Sequence, residues 1–447
     1  MAFVTIIGTG YVGLVSGACL ADFGNTVICV DIDNEKIECI KKGIIPIYEP
    51  GLSDIVSRNI AVNRLKFTNS LTNAVSESEV IFIAVGTPPL EDGGADLSHV
   101  ENASRSIGKF INSYKVIVTK STVPIGTAKK VKHWVEDELK KRTDSGESKV
   151  SDLKFDIVSN PEFLREGAAV QDFMHPDRIV IGSDSEHAKN IMKNVYRSLY
   201  INETPFIETN FESAEMIKYA ANSFLAVKIS FINEIANLCE KIGADVNDVT
   251  KAIGRDIRIG SKFLHPGPGY GGSCFPKDTR ALLCTANDAN SPLTVVESAV
   301  KANEEQKNIM INKIENALGN LNNKKLSVLG LSFKPETNDM RDAPSITIIN
   351  ALVKKGSIIN VSDPVALDEA KNYFFKINNS INYFKNEYEA MSGTDALIII
   401  TEWNQYRNLD FALVKSLLKT PTIFDLRNIY KRKIIEENGF KYYAVGQ

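Results

Sequence analysis

Cys274 sits between a glycine-rich run and a lysine–aspartate pair, in Gly267-Pro268-Gly269-Tyr270-Gly271-Gly272-Ser273-Cys274-Phe275-Pro276-Lys277-Asp278. Four glycines in six positions let backbone approach a ligand without Cβ interference. A cation three residues beyond the sulfur favours the thiolate, the form that attacks carbon. Spacing alone fits a glycine-rich surface turn with an incidental cysteine equally well. Glu162 and Glu166, in Asn160-Pro161-Glu162-Phe163-Leu164-Arg165-Glu166-Gly167, form a second set four positions apart. A helix there puts both on one face, either for acid–base work or as acids matched to a helix dipole. Lys218 and Asn222 form a third set, also i and i+4, in a long apolar helix from Phe211 to Gly243. An ammonium and an amide buried in so apolar a helix need a partner, and a developing substrate oxyanion is one.

The elements that position these groups begin at the N-terminus. Residues 2–7 read as a buried strand running into Gly8-Thr9-Gly10-Tyr11-Val12-Gly13 and an apolar helix through Ala21. The first glycine permits a tight turn, the second lets a pyrophosphate approach the backbone, and the third lets helix and strand pack closely. A second strand, Thr26–Val30, ends at Asp31, where an acid accepts from ribose hydroxyls and repels a 2′-phosphate. The spacing predicts NAD rather than NADP. Further strands at 80–85, 116–119, 155–158 and 178–182 alternate with helical or polar stretches, which predicts a parallel, doubly wound sheet. Thr87 after the strand at 80–85 and Thr122 after that at 116–119 are placed to meet the cofactor, or to cap a following helix. Residues 140–150 read as an exposed loop.

The long helix, apolar on nearly every face after Lys218, is expected to be buried, to link domains and to supply a subunit interface. Beyond it, strands at 325–330, 357–361, 396–400 and 422–425 predict a second Rossmann-like unit whose first turn lacks the dinucleotide fingerprint. Lys334, Arg341 and Arg427 lie at its strand or turn ends, where they suit phosphates.

The 447 residues suffice for two or three domains, and 52 basic against 55 acidic side chains give a net charge of −3, which argues against nucleic acid. The apolar start lacks a cationic leader region, and no run is long enough to span a membrane. Six cysteines without a C-x-x-C pair, with Cys19, Cys29 and Cys239 inside apolar elements, predict reduced packed thiols and a cytoplasmic setting. Five scattered histidines predict no metal site.

In order along nearly the whole chain, Gly8-x-Gly-Tyr-Val-Gly13, Tyr48-Glu49-Pro50-Gly51-Leu52, Gly86-Thr87-Pro88, Lys120-Ser121-Thr122-Val123-Pro124, the Asn160 to Gly167 run, Lys218-Tyr219-Ala220-Ala221-Asn222, the Gly269 to Asp278 run and Phe333-Lys334 resemble the UDP-glucose/GDP-mannose dehydrogenase family. The resemblance implies an α/β protein of two Rossmann-like doubly wound domains joined by a long central helix and a helical dimerisation region. Its parts are an NAD-binding domain at 1–203, a central domain with the cysteine loop at 204–312, and a nucleotide-sugar domain at 313–447. It implies oxidation of the C6 alcohol of UDP-glucose to a carboxylate with two NAD+, by a homodimer or higher homo-oligomer. GDP-mannose and UDP-N-acetylmannosamine are the alternative substrates, although Asn160 to Leu164 reads unlike the latter branch. Catalytic roles fall to Cys274, Lys218, Asn222, Asp278, Glu162 and Thr122. NAD contacts fall to Gly8, Gly10, Tyr11, Val12, Gly13, Asp31, Lys36, Thr87, Glu166, Lys277 and Arg341, and sugar-nucleotide contacts to Phe163, Leu164, Arg258, Phe263, Tyr270, Gly271, Lys334 and Arg427. A two-electron hydroxyacid dehydrogenase would use the helix lysine and asparagine without Cys274. A silent nucleotide-binding regulator would have no chemical reason to keep all these groups.

Overall fold

Near-continuous apolar runs become strands buried on both faces, as parallel sheets require. The computed structural model describes residues 2–147 and 150–447. The first sheet contains β1 (Phe3–Ile7), β2 (Thr26–Val30), β3 (Leu65–Thr68), β4 (Val80–Ile83), β5 (Lys115–Thr119), β6 (Phe155–Ser159), β7 (Ile179–Gly182) and β8 (Phe206–Thr209). Their order is β3-β2-β1-β4-β5-β6-β7-β8. The second contains β9 (Lys325–Leu329), β10 (Ile358–Ser362), β11 (Ile381–Phe384), β12 (Ala396–Ile399), β13 (Thr422–Asp425) and β14 (Lys441–Tyr443), in the order β11-β10-β9-β12-β13-β14. Both reverse direction of strand order beside their first strand, the place where doubly wound sheets take ligands. This is the expected α/β architecture of two Rossmann-like sheets with a long helix, Phe211–Ile242, between them in the chain.

The chain divides into two units. The first runs to Ala221 and is completed by Arg280–Ser291; the second is Asn222–Thr279 with Pro292–Gln447. In the first, Val4, Ile6, Val27, Cys29, Val80 and Phe82 pack with the helix Tyr11–Asp22 on one face, and Ile81, Ile83 and Ile117 face the helices Ser98–Phe110 and Thr127–Asp144 on the other. In the second, Leu326, Val328, Ile359, Val361, Ile398 and Phe424 form the corresponding core.

Four expectations are corrected. The first sheet is not wholly parallel, because β7 meets β6 antiparallel through Ser159 and Gly182; the loop and the short helix Ala169–Met174 that join them do not form a crossover returning the chain in the same sense. The exposed loop at 140–150 starts later, since Thr127–Asp144 is one helix whose last turn carries Lys141 and Arg142 facing its negative end; Ser148 and Lys149 lie outside the described residues. Glu162 and Glu166 are not on a helix, because Asn160–Arg165 is irregular and helix starts only at Ala169. The long helix is not covered all round within its chain: Phe224, Phe231, Leu238 and Ile242 are exposed at spacings of seven, seven and four. Short β3, β8, β11 and β14, each three or four residues, were not foreseen.

Candidate active site

In the first unit the turn after β1 has the geometry a dinucleotide needs. Gly8 has φ +98° and a Cβ there would stand 2.7 Å from the Ala84 carbonyl oxygen; a Cβ on Gly13 would stand 1.9 Å from the Gly8 carbonyl oxygen. At Gly10 a Cβ would meet nothing within 4 Å, so that side of the turn is open to a phosphate. The helix that follows starts at Tyr11 with no side-chain cap and no acid in its first turn, leaving its N–H groups for an anion. At the end of β2, Asp31 accepts from Thr9 N–H (2.8 Å), Thr9 Oγ1 (2.6 Å) and Lys36 Nζ (3.0 Å). Burial raises its pKa, but the Thr9, Asp33 and Lys36 contacts outweigh that and hold it at about 2. Lys36 is thus tied to Asp31. These residues fit NAD. Thr87 Oγ1 donates to the Thr122 carbonyl (2.8 Å), and the helices that follow have Leu97 and Gly126, not a threonine, at their N-caps.

The loop that follows β6 holds one half of a buried ion pair, and the long helix holds the other. Lys218 Nζ donates to Glu162 Oε1 at 2.7 Å, with both side chains about 95% buried. The other carboxylate oxygen, Oε2, accepts from Leu164 N–H at 2.5 Å. Phe163 lies under Lys218 (5.5 Å to its ring centre) and against the Arg178 guanidinium (3.6 Å). Asn160 anchors the loop: its N–H donates to Thr119 O, its Nδ2 to Val180 O, and its Oδ1 accepts from Tyr196 and Lys120. Burial pushes the Lys120 ammonium down to about 8, against the opposing pull of Glu162. Glu166 is buried, and the next residue, Gly167, donates its N–H to the hydroxyl of Tyr11 and to Glu49. Glu49 also accepts from Ala169 N–H and so caps that short helix.

A cavity of about 10 Å³, the size of one water, is bounded by Thr119, Thr122, Ser159, Glu215 and Lys218. Glu215 was absent from the sequence reading. It accepts from Gly126 N–H (2.6 Å) and Ala128 N–H (2.8 Å), and burial drives its pKa up to about 7 despite those bonds.

In the second unit Cys274 immediately precedes the helix Phe275–Asp288 and its carbonyl accepts from Asp278 N–H at 2.8 Å. The sulfur therefore stands at the positive end of a helix, a stronger reason for reactivity than the lysine alone. Half-buried Cys274 contrasts with Cys19 and Cys29, which are packed away; burial pushes the Cys19 thiol up to about 12. Asp278, 1% exposed, accepts from Asn222 Nδ2 at 2.6 Å and pairs with Lys277 at 3.0 Å. The long helix thus gives Lys218 to the first unit and Asn222 to the second, each already matched with an acid.

The glycine run is fixed by side chains the sequence did not flag. Asn233 accepts from Gly267 N–H, Gln306 donates to Gly267 O, and Asn303 brackets Tyr270 through both its N–H and its carbonyl. Polar residues inside apolar helices were the available signal. Gly271 and Gly272 are sterically required: a Cβ on the first would lie 2.4 Å from the Asp342 carbonyl oxygen, and on the second, at φ +83°, 2.8 Å from the Phe333 ring. Gly272 N–H donates to Arg341 O, and the Arg341 side chain pairs with Asp339. Phe263 and Tyr270 both pack on Phe275, the residue after the cysteine. Arg427 donates to the carbonyls of Ile400 and Phe333, and Lys334 Nζ lies 5.4 Å from the Phe333 ring centre. Arg258, with its side chain 85% exposed, pairs only locally with Asp256 among the described contacts, and stands apart from this cluster. Among the described residues no group of acids, cysteines and histidines could hold a metal ion.

The sequence models of the UDP-glucose/GDP-mannose dehydrogenase family match through their NAD binding domain (residues 2–200), central domain (212–305) and UDP binding domain (327–432). The chain belongs to the UDP-glucose/GDP-mannose dehydrogenase family. It is 50% identical to a UDP-glucose 6-dehydrogenase of Rhizobium meliloti, with 99% of both chains covered, and 47% identical to one of Bacillus subtilis, covering 100% of this chain and 94% of that one. A solved UDP-glucose dehydrogenase from Pyrobaculum islandicum superposes with a TM-score of 0.90 at 35% identity, over 99% of this chain and 97% of that one.

Proposed function

We propose that this family member is an NAD-dependent UDP-glucose 6-dehydrogenase that carries the C6 alcohol of UDP-glucose through to UDP-glucuronate. The observation that carries the reading is a half-buried cysteine at a helix N-terminus, on a glycine loop, in a chain that matches UDP-glucose 6-dehydrogenases over its full length at 47–50% identity. A two-electron dehydrogenase has no use for that thiol.

Bound NAD+ supplies the hydride acceptor, and two are consumed per sugar. Lys218, with a water at Asp278, takes the alcohol proton as C6 is oxidised to the aldehyde. The Cys274 thiolate forms a C–S bond to that carbon, and Lys218 and Asn222 stabilise the thiohemiacetal oxyanion. Loss of the second hydride leaves a thioester. Glu162, with Thr122 positioning, activates the water that breaks the C–S bond and returns the thiolate. In sum, one alcohol, one water and two NAD+ give one carboxylate, two NADH and three protons. Lys218 and Glu162 share one 2.7 Å contact, so the ammonium can pass a proton to Glu162 and leave a neutral amine to take the alcohol proton.

The binding roles follow the same reading. The residues proposed for NAD are Gly8 to Gly13, Asp31, Lys36, Thr87, Glu166, Lys277 and Arg341. The sugar nucleotide meets Phe163, Leu164, Phe263, Tyr270, Gly271, Lys334 and Arg427. The functional division is 1–203, 204–312 and 313–447. The exposed stripe Phe224, Phe231, Leu238 and Ile242 supports a homodimer, with Arg258 reaching the neighbouring subunit. No helix among the described residues is long and apolar enough to cross a membrane. Incubating the purified chain and NAD+ with UDP-glucose, GDP-mannose or UDP-N-acetylmannosamine tests the reading. UDP-glucuronate from the first, with the others far slower, is expected; turnover of only another sugar nucleotide would move the activity to a sister branch.

A further inference from the structure

Glu215 has no part in the chemistry above, yet its surroundings tie it to that chemistry. It lies three residues before Lys218 on the long helix and lines the same water-sized cavity as Lys218, Thr122 and the buried Thr119 hydroxyl, which has no hydrogen-bond partner among the described residues. Both its oxygens are spent on the start of the helix Thr127–Asp144: Oε2 on Gly126 N–H at 2.6 Å and Oε1 on Ala128 N–H at 2.8 Å, with Ser159 Oγ at 3.4 Å. Gly126, at φ +90°, has no side chain to cap that helix. The same segment carries Thr122 four residues earlier. One carboxylate therefore joins the loop bearing the water-positioning threonine to the helix bearing the catalytic lysine.

We propose that Glu215 is a positioning residue, which in its ionised form sets the Thr122 loop against Lys218 and, on protonation, releases that register and slows turnover. This rests on the dehydrogenase reading. An ionised carboxylate accepts both N–H groups at once; a protonated one turns one oxygen into a donor and loses one of the two bonds. The charged groups around it are few. Glu212 on its own helix raises its pKa, Lys129 of the capped helix pairs with Glu212, and Lys218 lies across the cavity. Ser159 of β6 and Thr119 of β5 are neutral. Burial is the leading cause of a pKa of about 7, which puts the switch near neutral pH.

The test measures NADH formation from UDP-glucose between pH 5.5 and 9 for the wild-type chain, Glu215→Gln and Ser159→Ala, with thermal unfolding of each in NAD+. The wild type is expected to lose kcat on an acid limb centred near pH 7. Glu215→Gln should lower kcat about tenfold to a hundredfold at pH 8, since small misplacement of reacting groups has that effect. Its UDP-glucose KM should stay within about twofold, because the loss falls on the reacting centre, and the acid limb should disappear. Ser159→Ala removes a donor to the ionised form without touching the helix cap, so it should keep its fold and move the limb to higher pH; this variant decides the matter if Glu215→Gln does not fold. An unmoved limb in Ser159→Ala, or a Glu215→Gln enzyme that is slower and less stable but keeps the wild-type pH profile, overturns the inference. A wild-type chain that makes no NADH from UDP-glucose overturns the function reading instead.

Discussion

After β1, Gly10 leaves open space beside the backbone, and Asp31 at the end of β2 keeps its side chain 13% exposed while accepting from Thr9 and Lys36. After β9 the corresponding position is Ser332, buried, whose hydroxyl donates to Lys334 O and whose carbonyl accepts from Thr401. The acid at the end of β10, Asp363, is 1% exposed and fully engaged: it accepts from Leu331, Ser332, Val365 and Ala366 N–H and from Trp403 Nε1. The two sheets share strand order and even the first glycine of the turn, since Gly8 and Gly330 both have positive φ and each donates its N–H to the end of the neighbouring strand. They differ in whether the acid and the second turn position face outward or inward. The same scaffold is a dinucleotide cradle in one unit and a closed turn in the other, and the contacts proposed for the second unit's ligand, Lys334 and Arg427, are accordingly side chains rather than that turn.

The sharpest break in this comparison is Gly330→Ala. At φ +87° and with its Cβ 2.4 Å from that of Thr401, the variant should lose about 3 kcal/mol or more of stability, read by denaturant unfolding. Asp363→Asn should cost about 2–4 kcal/mol, because the amide nitrogen faces buried N–H donors; a loss under about 0.5 kcal/mol would mean the acid is not holding the turn. Gly10→Val should leave the unfolding midpoint unchanged and raise the NAD KM about tenfold or more, because the new side chain fills the pyrophosphate approach. Asp31→Asn should weaken NAD by about tenfold, roughly 1.4 kcal/mol, and relax discrimination against NADP. Equal NAD affinity before and after would remove the ribose role. The smallest effect is on stability in acid. With its folded pKa lowered to about 2, Asp31 contributes stability that is present above the unfolded value near 4 and is lost as pH falls through 2. Asp31→Asn should flatten that part of the acid unfolding profile.

Much of this was legible in the sequence, because local rules act over short distances. The Gly8 to Gly13 turn, Asp31 and the long helix follow from spacing and apolar periodicity. What was missed depends on contacts between distant segments. Glu215 reads as one acid in an apolar helix until Gly126 and Ala128, 89 and 87 residues away, are seen to need a cap. The helix expected for Glu162 and Glu166 fails because Asn160 ties the loop to Thr119 and Val180, which no local propensity reports. The antiparallel β7 likewise follows from where the chain turns, not from its composition.

The claim that most needs testing is that Cys274 carries the sugar between two oxidations. NADH should be counted per UDP-glucose consumed, with limiting sugar and excess NAD+. Two NADH with UDP-glucuronate as product is the predicted result; one NADH with free aldehyde in solution would contradict it.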